Sequence, residues 1–448
     1  MNARQTLLDK IADPALFEWD PDEVEALQLE AAREVFAERR QQIPVLDRRA
    51  RDVGIESIEK LEDLVPLLFF HTTYKSYPSS FVEKGKWKHM LQWLTTLSTA
   101  DVTDVDVEGV ETVDDWIARL RAAGHRVLAT SGSSGKVSFL NQSEGDYQRK
   151  KRHFTKTMGW PFVKPAQDRP FFSIGPSKGF NSAVEASNIQ AEIWGREGDI
   201  HFLTDDPLLI ADVSAGASLR TRMAAGTATP SEIESFREKT AQQGTRMNER
   251  LTELAEMIIA KRKEPVFVAA LWAQHMMIIE RARELGVGDG EFHPDSVVAA
   301  GGGVKGVKLP PDYKEQVTAF YGNVVRPMGY GMTEMAQRWP ACEHKRYHRP
   351  PGLIMLPLER EGERLLTRED AKDGVVEGRF AFLDLLFDGR WGGIISGDKV
   401  QVDFGRCPCG RPGPTLLDTI TRYAQPGEDD HIGCAGTIDS YVKGALTQ

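Results

Sequence analysis

Apolar strand candidates alternate with helices through the middle of the chain, and short strands joined by Gly and Asp turns crowd its later part. These two observations predict an α/β protein with a mostly parallel core sheet flanked by helices, plus a small β-rich subdomain. The core strand candidates are Phe171–Ile174, Val266–Leu271, Ser296–Ala300 and Val324–Met328. Helices such as Arg246–Lys263, with Leu251, Leu254 and Ile258 on one side, separate them. From Leu353 the pattern shortens to Leu353–Leu358, Gly378–Leu383, Gly393–Ile395 and Lys399–Phe404.

The elements before the core read as helices. Asp20-Pro21 is an N-cap followed by a first-turn proline, and Asp22 to Arg40 places Val24, Leu27, Ala31 and Val35 at helical spacing. The helical region continues to about Asp63, residues 65–90 mix an apolar run with a loop, and a helix over Val113–Ala123 follows. The run Arg149-Lys150-Lys151-Arg152 reads as a solvated helix face, and His71 and His201 read as structural. At 448 residues the chain exceeds one ordinary core, and its net charge of −10 argues against nucleic acid or an anionic membrane as partner. No signal-type leader and no run of about 18 apolar residues occurs, so the expected compartment is the cytoplasm, with no membrane span.

The stretch VLATSGSSGKVSF, residues 127–139, raises the chemical question. Gly132 and Gly135 allow close backbone approach, while Thr130, Ser131, Ser133, Ser134 and Lys136 supply donors and one positive charge, as an anion requires. The spacing excludes the P-loop of kinases, which would need glycine at Thr130 and a hydroxyl residue at Val137. Three other segments look like polar strand ends: Gly301-Gly302-Gly303, the run Gly329-Tyr330-Gly331-Met332-Thr333-Glu334, and Ser396-Gly397-Asp398. Open α/β sheets bind ligands beyond the carboxyl ends of their strands, so such ends can converge on one crevice. ATP accounts for the residue types: Tyr330 can stack on adenine, Thr333 can donate to a phosphate, Glu334 can hold Mg²⁺ and Asp398 can accept from ribose hydroxyls. Lys136 and the loop hydroxyls would hold the β- and γ-phosphates.

The order TSGSSGK, GGG, YGMTE, SGD resembles the core motifs of the adenylate-forming superfamily of acyl- and aryl-CoA ligases, peptide-synthetase adenylation domains and luciferases. GGGVKG, YGMTEMAQRWPACEHKRYHRPP and GRCPCGRPGP are most similar to the branch of phenylacetate-CoA ligases and bioluminescence acyl-protein synthetases, over roughly residues 60–440. The resemblance implies ATP-dependent activation of an aromatic or fatty carboxylic acid to an acyl-adenylate, release of pyrophosphate and transfer of the acyl group to a thiol. It implies an adenylation core over residues 1–340, a β-rich subdomain over 341–421 and a stub over 422–448 where relatives carry a mobile lid domain with a catalytic lysine. It also makes Arg422 the ribose-binding arginine, although the usual Arg-x-Asp-Asp spacing is stretched here.

Cys342, Cys407 and Cys409 with a nearby histidine have the composition of a structural Zn²⁺ site, for which His344 and His348 compete and the resemblance favours His348. Cys434 lies apart, and by resemblance to the acyl-protein synthetases it is a candidate acyl acceptor, a role open to a nucleophilic thiolate. Three readings follow. In the first, the acyl group passes through Cys434 to a partner such as a reductase or carrier. In the second, a truncated aryl- or acyl-CoA ligase acylates CoA directly, and in the third an inactive nucleotide-binding scaffold has lost catalysis. For the acid, Trp272, Met276 and Met328 are expected to line an apolar wall.

Overall fold

The computed structural model describes residues 2–13, 15–130, 136–301 and 308–424. Ser131 to Gly135, Gly302, Gly303 and Cys434, all named above, lie outside the described residues. The chain forms two compact units, one of residues 1–157 with 329–448 and one of residues 158–328.

The second unit holds the expected parallel sheet, in the order Gly195–Thr204, Arg169–Pro176, Phe267–Leu271, Val297–Gly301. Helices Pro230–Ala260, Trp272–Glu284 and Tyr313–Tyr321 bury Ile258, Ile278 and Phe320 against Phe172, Val268 and Val298 of the strands. The expected strand Val324–Met328 reduces to a single parallel bridge, Val297 to Val325. Pro327 lacks the N–H that would extend the ladder.

The first unit is built on a seven-stranded sheet. Tyr347–His348, Thr415–Leu416, Gly393–Asp403, Val375–Asp384 and Leu353–Leu358 neighbour one another in that order, all antiparallel. Two further short strands, Phe69–Phe70 (parallel) and Thr421–Arg422 (antiparallel), also pair with Gly393–Asp403, which is therefore the spine of the unit. This differs from the division expected at residue 340. The β-rich part shares one sheet with the amino-terminal segment, because Phe70 registers on Ile395.

Helix Pro21–Gln42 follows its sequence signals: the Asp20 carboxylate accepts from the amides of Asp22 and Glu23, and Pro21 occupies the first turn. Its buried Gln28 donates to the carbonyls of Pro351 (2.8 Å) and Leu353 (3.1 Å), which ties the helix to the sheet. The loop after Phe387 is held by charge. Asp388 pairs with Arg4 at 2.6 Å, with Arg39 at 2.9 Å and with Arg149, so the Arg149–Arg152 run is only partly a solvated face.

Candidate nucleotide corner and metal cluster

Gly393–Asp403 was expected as two strands with Asp398 in the turn between them; it is one strand, broken by a bulge. Between the pairs Arg379–Lys399 and Ala381–Ile395, two steps on one strand match four on the other, so Ser396, Gly397 and Asp398 bow out of the ladder. The Ser396 hydroxyl donates to the Phe380 carbonyl at 2.6 Å and Arg379 donates to the Ser396 carbonyl at 3.0 Å, which pins the bulge. Asp398 thus leaves the ladder with Val375–Asp384 and pairs instead with Arg422 of the short strand Thr421–Arg422.

Tyr330 and Glu334 come from a hairpin. Strand Gly329–Tyr330 pairs antiparallel with Trp339–Pro340, and Thr333 and Glu334 occupy the connecting turn. The Tyr330 hydroxyl donates to Asp398 Oδ2 at 2.7 Å, and Arg422 Nε lies 3.3 Å from Asp398 Oδ1. Each carboxylate oxygen keeps a lone pair for a further donor such as a ribose hydroxyl. The Tyr330 ring meets Phe380 edge-on at 5.3 Å, and burial, then the Asp398 charge, raises its pKa so that the phenol keeps its proton.

Two residues that the sequence reading missed fix this hairpin. Asp384, fully buried, accepts from the amides of Ala336 (2.8 Å), Gln337 (3.1 Å) and Leu386 (3.0 Å) and from the Gln337 side chain (2.8 Å). Arg390, also buried, donates to the carbonyls of Glu334 (3.0 Å) and Asn141 (2.8 Å). A lone carboxylate in the apolar run AFLDLLF was the available signal for the first; nothing local marked the second. Burial pushes the Glu334 carboxyl above its ordinary range, and the Arg390 and Lys75 charges oppose that without cancelling it. A partly buried carboxylate of this kind has cation-binding chemistry, and Mg²⁺ fits it through an oxygen ligand.

The residues on either side of the expected phosphate loop lie on a second pair of strands. Strands Arg126–Ala129 and Phe139–Gln142 pair antiparallel, and the amide of Thr130 donates to the Ser138 carbonyl at 3.1 Å while Ser138 returns a bond to the Thr130 hydroxyl at 3.0 Å. Lys136 donates to the Tyr77 carbonyl and stands 4.2 Å over the Tyr77 ring, so it braces the exit of the loop. Gly331 is exposed beside Tyr330, and Gly301 ends its strand in the other unit. In that unit a cavity of about 630 Å³ is lined by Met276, Met277, Ile279, Leu309 and Ala319. Of the expected apolar wall only Met276 lines it; Trp272 packs edge-on against Tyr313 at 5.5 Å, and Met328 is exposed.

The cysteines form a separate group. One ligand atom each from Cys342, His348, Cys407 and Cys409 lies within 4.8 Å of every other. Cys342 Sγ is 3.7 Å from Cys407 Sγ, and Cys409 Sγ is 3.5 Å from His348 Nε2. Tetrahedral Zn–S bonds of about 2.3 Å and Zn–N bonds of about 2.0 Å give edges of about 3.8 Å for S···S and about 3.5 Å for S···N, so the donor set fits a tetrahedral ion. His344 is exposed and outside the group. Burial drives the His348 imidazole down to about 4, which leaves it neutral as a ligand must be. The ligand turn depends on glycine. Gly410 adopts φ +86°, and a Cβ on Gly413 would stand 2.1 Å from the Gly405 carbonyl oxygen.

Among the described residues no helix is long and apolar enough to cross a membrane. No protein-family model matches the chain, and no curated protein matches it in sequence. Among solved structures the chain is similar to 2-hydroxyisobutyryl-CoA ligase in the postadenylation state, in complex with 2-HIB-AMP. The TM-score is 0.52 at 12% identity, with 91% of this chain and 70% of that chain covered. The likeness is one of fold: this chain shares the mixed α/β architecture of an adenylate-forming acyl-CoA ligase.

Proposed function

We propose that this chain is an ATP-dependent carboxylate-activating ligase. A carboxylate oxygen attacks the α-phosphorus of ATP, the bond to the bridging oxygen of the β-phosphate breaks, and pyrophosphate leaves with the electron pair. A thiolate then attacks the acyl carbonyl and AMP departs. The observation that carries the reading is the junction of Tyr330, Asp398 and Arg422 beside Glu334, which joins segments far apart in sequence. In this reading Tyr330 and Gly331 serve the adenine side, and Asp398 with Arg422 the ribose. The run TSGSSGK and Thr333 serve the phosphates in this reading. Mg²⁺, held through Glu334, supplies neutralisation of phosphate charge when bound. Zn²⁺ at Cys342, His348, Cys407 and Cys409 would be structural, since four protein ligands leave no open position.

The acceptor thiol is Cys434, with onward transfer to a reductase or carrier, as in the acyl-protein synthetase branch. The fold neighbour's name favours CoA as the second reading. Mass spectrometry of the intact protein after incubation with ATP, Mg²⁺ and an activating acid separates them. An acyl adduct that disappears in Cys434→Ala supports self-acylation. Acyl-CoA formed on adding CoA, without an adduct, supports direct ligation.

A further inference from the structure

The hairpin that carries Tyr330 also presents Arg338, a residue outside the motif set. Gly329 registers on Pro340 and Tyr330 on Trp339, so Arg338 comes level with Gly331. The backbone around it is fixed on both sides. The Gln337 amide donates to the buried Asp384 carboxylate at 3.1 Å, the Trp339 side chain is fully buried, and the His153 ring, kept neutral by burial, donates from Nε2 to the Arg338 carbonyl at 2.8 Å. Arg338 therefore leaves a rigid platform, which lowers the cost of holding its side chain in one place.

The guanidinium lies on the glycine face of this hairpin. A Cβ on Gly329 would collide with Arg338 Nε, and one on Gly331 would stand 3.9 Å from the Arg338 Cα, Cβ and Cγ. Tyr330, between the two glycines, alternates to the other face and meets Phe380 and Asp398 there. Glycine at position 329 is thus what admits the guanidinium.

Arg338 is half-buried, and among the described residues no hydrogen bond or ion pair engages its guanidinium. Burial lowers its pKa only to about 10, so it stays charged at neutral pH. Three other cations of this unit are committed: Lys136 to the Tyr77 carbonyl, Arg390 to the carbonyls of Glu334 and Asn141, and Arg422 to Asp398. A guanidinium partly stripped of water gains most from an oxyanion, whose oxygens match its planar fork through two charge-assisted hydrogen bonds. The ligand read at Tyr330 and Asp398 is a nucleotide, and the oxyanion nearest its ribose is the α-phosphate.

Resting on the nucleotide reading above, we propose that Arg338 binds the α-phosphate of the nucleotide, from the glycine face of the hairpin whose other face carries Tyr330. The two glycines leave that face open to the phosphate, and the buried neighbours of Arg338 hold the fork in place.

Equilibrium titration of the full chain with AMP and with adenosine tests this without any acid. Wild type should bind AMP more tightly than adenosine. Arg338→Met should lose about tenfold or more of AMP affinity with adenosine unchanged, and Arg338→Lys, which keeps the charge without the fork, should recover part of the loss. AMP affinity within about twofold of wild type in Arg338→Met, or an equal loss for adenosine, would overturn the assignment and leave the ligase reading standing. Wild type that binds neither compound would remove both. A loss confined to AMP, together with no acid-dependent pyrophosphate exchange in wild type, would keep the role of Arg338 and remove the ligase.

Discussion

The cysteine cluster and the nucleotide corner both draw on the strand Gly393–Asp403, one on the turn that leaves it and the other on its bulge, yet they are built on opposite plans. In the cluster four soft donors face one another at the edge lengths of a tetrahedron, and nothing is left for a substrate. In the corner Glu334, an acid with a raised pKa, belongs to the same group as Asp398, a second carboxylate whose two oxygens are engaged by Tyr330 and Arg422 with lone pairs to spare. Closed donor sets stabilise folds, whereas open sets of opposed charges bind and act. Variants in the two places should therefore separate stability from activity.

The largest effect is expected at the cluster. Cys407→Ser should release the metal and cost more than about 4 kcal/mol, because ligand loss is among the few mechanisms of that size. Metal content and thermal unfolding check this. Wild type without zinc, or a variant with an unchanged midpoint, would erase the contrast. Next is Asp384→Ala, which leaves the buried amides of Ala336, Gln337 and Leu386 without their acceptor and should cost about 3 kcal/mol in denaturant unfolding.

Glu334→Gln should behave in the opposite way. Pyrophosphate exchange should fall about a hundredfold, as when one electrostatic contact to a reacting phosphate is lost. The folded-state pKa of Glu334 is raised, chiefly by burial, so its ionised form is disfavoured in the fold. That cost is absent below the unfolded carboxylate pKa and grows as pH rises through the raised one. The amide variant should then be at least as stable as wild type at neutral pH, by thermal unfolding. Where ionised Glu334 is needed, exchange should fall as pH drops below its raised pKa.

At neutral pH the smallest effect belongs to two histidines, one in each unit, whose contribution changes only as the pH falls. Burial holds His153 and His275 down to about 4, so both stay neutral in the fold while the unfolded chain takes up protons below about 6.5. Each contributes stability that is present above about pH 6.5 and lost towards about pH 4, at about 1.4 kcal/mol per pH unit. Urea unfolding at stepped pH should show this slope, and His275→Gln should reduce it.

Residue types with specific chemistry stood out in the sequence. Tyr330, Glu334 and Asp398 were read as nucleotide contacts, and the structure places the Tyr330 hydroxyl on Asp398; the CxC spacing suggested a ligand set, and the donor atoms of Cys342, His348, Cys407 and Cys409 lie close together. What local reading missed had non-local causes. The Ser396-Gly397-Asp398 run looks like a turn, and only pairing with Val375–Asp384 makes it a bulge. The single sheet across both ends of the chain depends on Phe69–Phe70, a strand too short to show a period. Helix Pro230–Ala260 starts well before the expected Arg246, because its first turns lack apolar periodicity. A start signal was nonetheless present in Thr229, Pro230 and Glu232, which form a capping box with a first-turn proline.

The most direct measurement is exchange of labelled pyrophosphate into ATP across aromatic and fatty acids, with wild type and Glu334→Gln side by side. Exchange by wild type that depends on at least one acid and falls about a hundredfold in a variant of unchanged midpoint is the expected result. ATP binding by wild type without exchange for any acid would contradict carboxylate activation and leave a nucleotide-binding scaffold.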